Sequence, residues 1–366
     1  MAFKIVKPNY KKSIMNISNS ILKYYNLPQT HSSIEKLDKV LSKKYKNIVH
    51  IVFDGMGSFI LDKHLDKNTF LQKHKIMNLT SVFPSTTVAC LSSIMTGLSP
   101  KEHGWIAWSC YFKEYNRYIE FFNNKDNYTK EKIDIEGEII KRDFIIDKIS
   151  KKVETYTIYP AFKNGFETTE KAFENLLELC NKPKDKYIYF YWDEPDNLLH
   201  KNGCKSEIVD NFLKTLNFQL EELSKKLKDT LIMITADHGQ IDIEKYYVIN
   251  DIPELDNCLV SPPSMEKRTM SFVIKNEKRK FFKEYFNKNF GKDFILLDKK
   301  TYIKKMLGDG KEHQKIDDFV GDFVAIAIGN KALMYKTLNS KAKELDKACH
   351  AGLSEDEMIV PLIIIK

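Results

Sequence analysis

Seven side chains in this chain are of the right type and spacing to act together on a phosphate-like group: Asp54, Thr87, Asp196, His200, Asp237, His238 and His350. Thr86 and Thr87 open the stretch FPSTTVACLSSIMTGLSPKEHG (residues 83–104), directly before an apolar run with helical spacing. They therefore stand where a helix begins. Such a place presents unpaired backbone N–H groups and a partial positive charge, which suit a phosphate and ease ionisation of a nearby hydroxyl. Ser and Thr are also ordinary helix caps, and it is the other six residues that give the pair a chemical meaning. Asp54 closes the apolar run of NIVHIVFDGMG, and a carboxylate buried at such a strand end needs a partner, for which a metal ion serves. Asp196 and His200 are four residues apart, on one face of a helical turn. Asp237 and His238 end the apolar run of TLIMITADHGQ, and Gly239 allows the turn through which two adjacent residues reach one ion. His350 sits among small residues in KACHAGLSEDEM, with Cys349 beside it as a further possible ligand, although a lone cysteine is more often inert packing. Carboxylates and imidazoles without thiolates suit zinc, manganese or iron. Seven groups are too many for one catalytic ion and about right for two. Two ions ~4 Å apart stabilise both the attacking and the leaving oxygen of an in-line displacement.

The elements that must position these groups are buried strands ending in acids, separated by amphipathic segments. Residues 47–53, 186–192 and 230–235 read as strands, and in open α/β sheets ligands bind beyond the carboxyl ends of strands. Segments 167–183 and 206–228 read as surface helices, and 153–160 as another strand. The expected fold is an α/β sandwich, with a mostly parallel sheet and helices on both faces. Residues 1–46 read as a helical lead-in. Residues 241–321 change in texture and are expected to form a small α+β cap inserted within a single domain spanning 1–366, with no candidate ligand in it and His313 a solvated surface residue. The core is expected to resume with the strand in DFVAIAIGN. Trp105 and Trp108, just downstream of Thr87, are candidates to wall a substrate pocket.

Composition narrows the partners. The formal charge of +8 comes almost wholly from lysine, since Arg117, Arg142, Arg268 and Arg279 are the only arginines. The lysines are interspersed with acids, as on solvated helix faces, which argues against a nucleic-acid binder and leaves a mild attraction for anionic substrates. The six cysteines form no CxxC pair, so neither a disulfide framework nor a thiolate zinc knuckle is expected. No run of 18 uncharged apolar residues occurs, and the start MAFKIVKPNYKKS has no continuous apolar segment. The expectation is a cytoplasmic protein without a membrane partner.

Five motifs in order, FDGMG, FPSTT with TGLSPKEHG, EPDNLLHKNG, TADHG and HAGLSEDEMIVPL, resemble those of the alkaline phosphatase superfamily, and most closely its type I phosphodiesterase/nucleotide pyrophosphatase branch. The resemblance covers residues 47–365 apart from the insertion. It implies two divalent ions, Zn2+ with Mn2+ as the alternative, one held by Asp54, Thr87, Asp237 and His238 and the other by Asp196, His200 and His350. It implies that Thr87, activated by metal, attacks phosphorus to give a phosphothreonine that water then hydrolyses, with Thr86 as the alternative nucleophile. The substrate is expected to be a small phosphodiester, pyrophosphate or phosphonate compound. The alternatives are a phosphomutase or phosphonate hydrolase of the same superfamily, or a binding protein that keeps only the fold. Three positions depart from the branch: Val88 stands where an aromatic residue usually follows the nucleophile, the segment Trp105 to Ser109 lacks the usual asparagine, and Leu199 replaces a glycine.

Overall fold

Three of the apolar runs that end in acids lie side by side. In the computed structural model, which describes residues 3–135, 137–336 and 345–366, the strand Asn47–Phe53 pairs in parallel with Lys186–Trp192 on one side and with Thr230–Thr235 on the other. Their registers start level, with Asn47 opposite both Lys186 and Thr230, so the three carboxyl ends emerge together. Every residue of these strands is buried, as expected of a sheet covered on both faces. Glu154–Ile158 adds a parallel strand at one edge, and its polar, half-exposed residues suit that position. At the other edge Ile359–Ile365 runs antiparallel to Thr230–Thr235 and is followed by Lys75–Thr80, which completes a mostly parallel sheet of six strands.

Helices pack in two groups. Ser58–His64, Phe70–His74, Thr169–Asn181 and Glu207–Lys226 form one, and the last of these buries Val209, Leu213, Leu216, Leu220 and Leu223 as a single stripe. Ile14–Tyr24, Thr87–Thr96 and Ile145–Ile149 form the other. The expected lead-in is more than that. Residues 14–22 are all buried, and the Asn19 amide donates to the Gly97 carbonyl at 2.9 Å, fastening this helix to the end of the helix that begins at Thr87. Among the described residues no helix is long and apolar enough to cross a membrane, and all six cysteines are free and buried.

A second, antiparallel sheet has seven strands in the order Phe294–Asp298, Phe323–Ala327, Thr269–Phe272, Ser264–Met265, Ser109–Phe112, Arg117–Glu120 and Lys125–Asp126. Residues 241–321 supply only part of it. The hairpin 109–126 comes from the aromatic segment after Thr87, and Phe323–Ala327, expected to rejoin the main sheet, instead pairs with Thr269–Phe272 and Phe294–Asp298. The reason is that a short, fully apolar run suits either sheet, and its hydrogen-bonding partners are set by chain geometry that periodicity does not encode.

One ion pair joins the two sheets. Arg268, in the second sheet's hairpin, and Glu357, ahead of the last main-sheet strand, are both fully buried and bond twice, at 2.6 and 2.7 Å. Arg268 also donates to the carbonyls of Gly329 and Lys331, while Glu357 accepts from the Gly352 N–H and the Ser354 hydroxyl, so the loop that carries His350 hangs on this pair. Removing one member of a buried pair strands the other, at a cost of about 3–5 kcal/mol. Arg268→Met should therefore lower stability to urea by about that amount, and a loss below about 1 kcal/mol would show that the pair does not clamp the two sheets.

Candidate active site

The three level strand ends deliver three carboxylates to one place. The Asp54 N–H donates to the Trp192 carbonyl at 2.9 Å, and the Asp196 N–H donates to the Asp54 carbonyl at 3.0 Å, so each acid is fixed by the neighbouring strand end. Asp237 Oδ1 accepts from the N–H groups of Gly55 (3.1 Å) and His238 (2.9 Å). Asp54 Oδ2 accepts from the Tyr191 hydroxyl at 2.5 Å. The other oxygen of each, Asp54 Oδ1 and Asp237 Oδ2, is buried and has no hydrogen-bond partner among the described residues. Burial, and then the charges of the neighbouring acids, push Asp54 well above the usual carboxylate range. Burial raises Asp237 as well. Burial opposes ionisation of Asp196 too, but the His200 imidazole beside it prevails and holds that carboxyl below its usual range. His200 in turn is pushed up to about 12 by Asp196 against its own burial.

Each histidine is aimed in the same way. His238 Nδ1 faces the Gly239 carbonyl (3.1 Å), His200 Nδ1 the Ala348 carbonyl (2.8 Å) and His350 Nδ1 the Ser85 carbonyl (3.1 Å). A carbonyl only accepts, so these contacts place a proton on Nδ1 and aim Nε2 into the site, as in metal-ligating histidines held by backbone oxygens. His238 Nε2 lies 3.4 Å from Asp54 Oδ1, 3.3 Å from Asp237 Oδ2 and 3.2 Å from Thr87 Oγ1. His200 Nε2 lies 3.3 Å from Asp196 Oδ2, and His350 Nε2 lies 4.0 Å from Asp196 Oδ1. The ligand atoms of Asp54, Asp237 and His238 thus form one group that could hold an ion, and those of Asp196, His238 and His350 form another. Unpaired carboxylate oxygens and imidazole Nε2 atoms converging in buried groups fit divalent cations of the zinc or manganese kind. The two-residue ladder of Ala348–Cys349 against Ile241–Asp242 is what brings His350 here from the far end of the chain.

The seven expected residues lie in one region, but His238 rather than His200 completes the group of Asp196 and His350, and the structure adds others. Asp346 and Cys349 form a third group with His200, and Cys349 Sγ sits 3.2 Å from the Tyr246 hydroxyl, so this cysteine is nearer the site than a packing residue. Glu266 arrives from the segment expected to hold no candidate ligand. Its Oε1 accepts from the Thr86 hydroxyl at 2.8 Å and from the Trp108 N–H at 2.6 Å. Thr86 is therefore the helix cap engaged by an acid, while Thr87, the first helical residue, faces His238. Nothing in the sequence separates Glu266 from other glutamates, because it belongs to a sheet whose pairing no local pattern reveals.

A cavity of about 600 Å3 opens over Asp54, Thr87 and Asp196, with Leu91, Trp108, Phe122 and Phe162 as its apolar wall and Asn123 and Lys163 as polar members. Trp108 lines it, but Trp105 does not. Trp105 is buried, donates to the Ile140 carbonyl at 2.9 Å and lies under the Arg142 guanidinium, 3.7 Å from its ring centre, which makes it a core residue. Val88 is likewise buried in the core, so the absence of an aromatic side chain there leaves the cavity wall to Phe122, Phe162 and Trp108. A larger groove of about 810 Å3, beside Tyr24, Tyr45 and Lys44, lies at the opposite, amino-terminal ends of the strands and contains none of the seven residues.

Comparison with known proteins agrees with this geometry. Residues 48–346 match the family model described as type I phosphodiesterase / nucleotide pyrophosphatase. The bis(5'-adenosyl)-triphosphatase ENPP4 of Bos taurus is 25% identical over 234 residues, 57% of this chain and 50% of that protein, and the Homo sapiens protein is 24% identical over 233 residues. The chain thus spans about half the length of the curated relatives it matches. Among solved structures, murine ectonucleotide pyrophosphatase / phosphodiesterase 5 aligns with a TM-score of 0.63 at 15% identity, covering 86% of this chain and 87% of that one. Phosphonoacetate hydrolase from Sinorhizobium meliloti 1021, in complex with phosphonoformate, aligns with a TM-score of 0.65 at 14% identity, covering 87% and 89%. The fold is that of the alkaline phosphatase superfamily, and the chain belongs to its type I phosphodiesterase / nucleotide pyrophosphatase family.

Proposed function

We propose that this chain is a metal-dependent hydrolase of small phosphodiester, pyrophosphate or phosphonate compounds, with Thr87 as its nucleophile. The observation that carries this reading is the placement of Thr87 Oγ1 3.2 Å from His238 Nε2, within the group whose buried Asp54 and Asp237 oxygens have no partner. Asp54, Asp237, His238 and Thr87 would hold one divalent ion and Asp196, His200 and His350 the other. When bound, such ions act as Lewis acids that offset the charge of a phosphoryl group and make a hydroxyl nucleophilic near neutral pH.

The chain's own residues do the rest. Thr87, as the first residue of a ten-residue helix, directs its hydroxyl to the end where backbone N–H groups and the helix dipole favour a phosphoryl oxygen. Glu266 fixes the preceding residue through its hydroxyl, which leaves Thr87 as the free hydroxyl of the pair. The apolar wall of Leu91, Trp108, Phe122 and Phe162 suits the organic part of the substrate and displaces water around the reacting centre. The names of the relatives support a phosphorus-containing substrate, since one is a dinucleoside triphosphatase and one structural neighbour holds phosphonoformate.

Three measurements test this reading. Thr87→Ala should lower kcat on a chromogenic phosphodiester by a factor of 10³ or more, while elemental analysis still finds the metal content of the unaltered protein. Full turnover in that variant would rule Thr87 out as nucleophile. His350→Ala should reduce the content from two ions per chain, and two ions retained would remove His350 from the ligand set. Metal binding must also depend on pH. Asp54, Asp237 and His200 are all raised in the metal-free protein, so losing their protons and binding a cation favour one another, and metal affinity should rise with pH. Calorimetry in two buffers of different ionisation enthalpy reads the released protons directly, and equal heats in both would refute this coupling.

A further inference from the structure

Glu266 is a carboxylate of the site that neither metal group uses and that bonds directly to the residue before Thr87. It reaches the site from the second sheet, where its N–H donates to the Thr269 carbonyl at 2.8 Å. It lines the same cavity as Thr87, Asp196, His200 and His350. Two donors, the Thr86 hydroxyl and the Trp108 N–H, share its Oε1, which fixes the carboxyl plane against the start of the nucleophile helix. No cation within ion-pairing distance answers it among the described residues, because Lys267 beside it pairs with Asp346. The three arginines with an ion pair outside the Arg268–Glu357 clamp, Arg117, Arg142 and Arg279, meet acids elsewhere. The wall on the Thr86 side of the phosphoryl position thus carries two carboxylates, Glu266 and Asp346, against one lysine, Lys267.

That sign matters because phosphoryl groups differ in charge. At alkaline pH a phosphate monoester brings two negative charges on its non-bridging oxygens. A diester or a phosphonate monoester brings one, its remaining position being an ester or a carbon. Like charges brought together in a partly dehydrated cavity repel strongly, and the lysine beside Glu266 in this wall is already paired with Asp346. Resting on the phosphoryl-transfer reading above, we propose that Glu266 is a specificity-determining residue that selects singly charged phosphoryl groups and rejects doubly charged monoesters. The same carboxylate that holds Thr86 and the Trp108 backbone in place thereby reads the charge of the group Thr87 attacks.

The test compares methyl p-nitrophenyl phosphate with p-nitrophenyl phosphate, which differ only in whether one oxygen is esterified. The measurement is kcat/KM for both at pH 8.5, on the metal-loaded full chain and on Glu266→Gln, which keeps an oxygen to accept from Thr86 and Trp108 and removes only the charge. The expected result is a diester-to-monoester ratio at least tenfold lower in Glu266→Gln, produced by a gain on the monoester. Glu266→Ala, which removes the charge together with both hydrogen bonds, should shift the ratio in the same direction even if it lowers both rates. A ratio that moves by less than tenfold, or rates for the two esters that fall together in both variants, overturns the assignment and leaves Glu266 as a positioning residue. Metal-loaded unaltered protein that hydrolyses neither ester overturns the phosphodiesterase reading itself, a result distinct from an unmoved ratio.

Discussion

Three carboxylates buried at the level ends of three adjacent parallel strands are the constraint around which the rest of the molecule is arranged. Asp54, Asp196 and Asp237 are at most 9% exposed, and each raises the cost of ionising the next. Burial of uncompensated charge is expensive enough that a protein resolves it by protonation, by pairing or by a cation. Asp196 is answered in part by His200, whereas Asp54 and Asp237 each keep an oxygen with no partner. The backbone around them is dedicated to this cluster. Gly55, with a φ of 72°, turns its N–H onto Asp237, and Gly239 packs so closely on the Asp356 carbonyl that an added Cβ would lie 2.1 Å from it. These two glycines are the price of bringing three strand ends and the last loop within reach of one another.

The main sheet builds the acid and imidazole side of the site, and the second sheet builds the wall that faces it. Trp108 and Phe122 come from the hairpin region and Glu266 from the turn between Ser264–Met265 and Thr269–Phe272, so the wall facing Thr87 is made by residues distant in sequence. The Arg268–Glu357 pair fixes one layer on the other and, through Gly352 and Ser354, holds the loop that presents His350. The candidate ligands and the cavity wall therefore rest on a shared support.

What the sequence by itself determined is the part of the protein written in local pattern. An apolar run of six or seven residues followed by Asp and Gly specifies a buried strand, its end and an acid at that end, and this occurs at Asp54 and Asp237 whatever the rest of the chain does. Spacing of four places Asp196 and His200 on one helical face, and the hydroxyl pair ahead of an apolar segment marks a helix start. The parallel strands of the main sheet and the candidate acids beyond their ends were legible for that reason, whereas the edge strand Lys75–Thr80 was not. Tertiary structure alone decided that Thr86 meets Glu266 while Thr87 meets His238, contacts that span 180 and 151 positions. It also separated Trp108 from Trp105, two aromatic residues alike in sequence, by giving one a cavity and the other a carbonyl and a guanidinium. The membership of Phe323–Ala327 in the second sheet belongs to the same class, because a short apolar strand carries no mark of its partner. Local spacing fixes the conformation of a segment, but the pairing of segments far apart is set by which faces remain to be buried once the chain has closed.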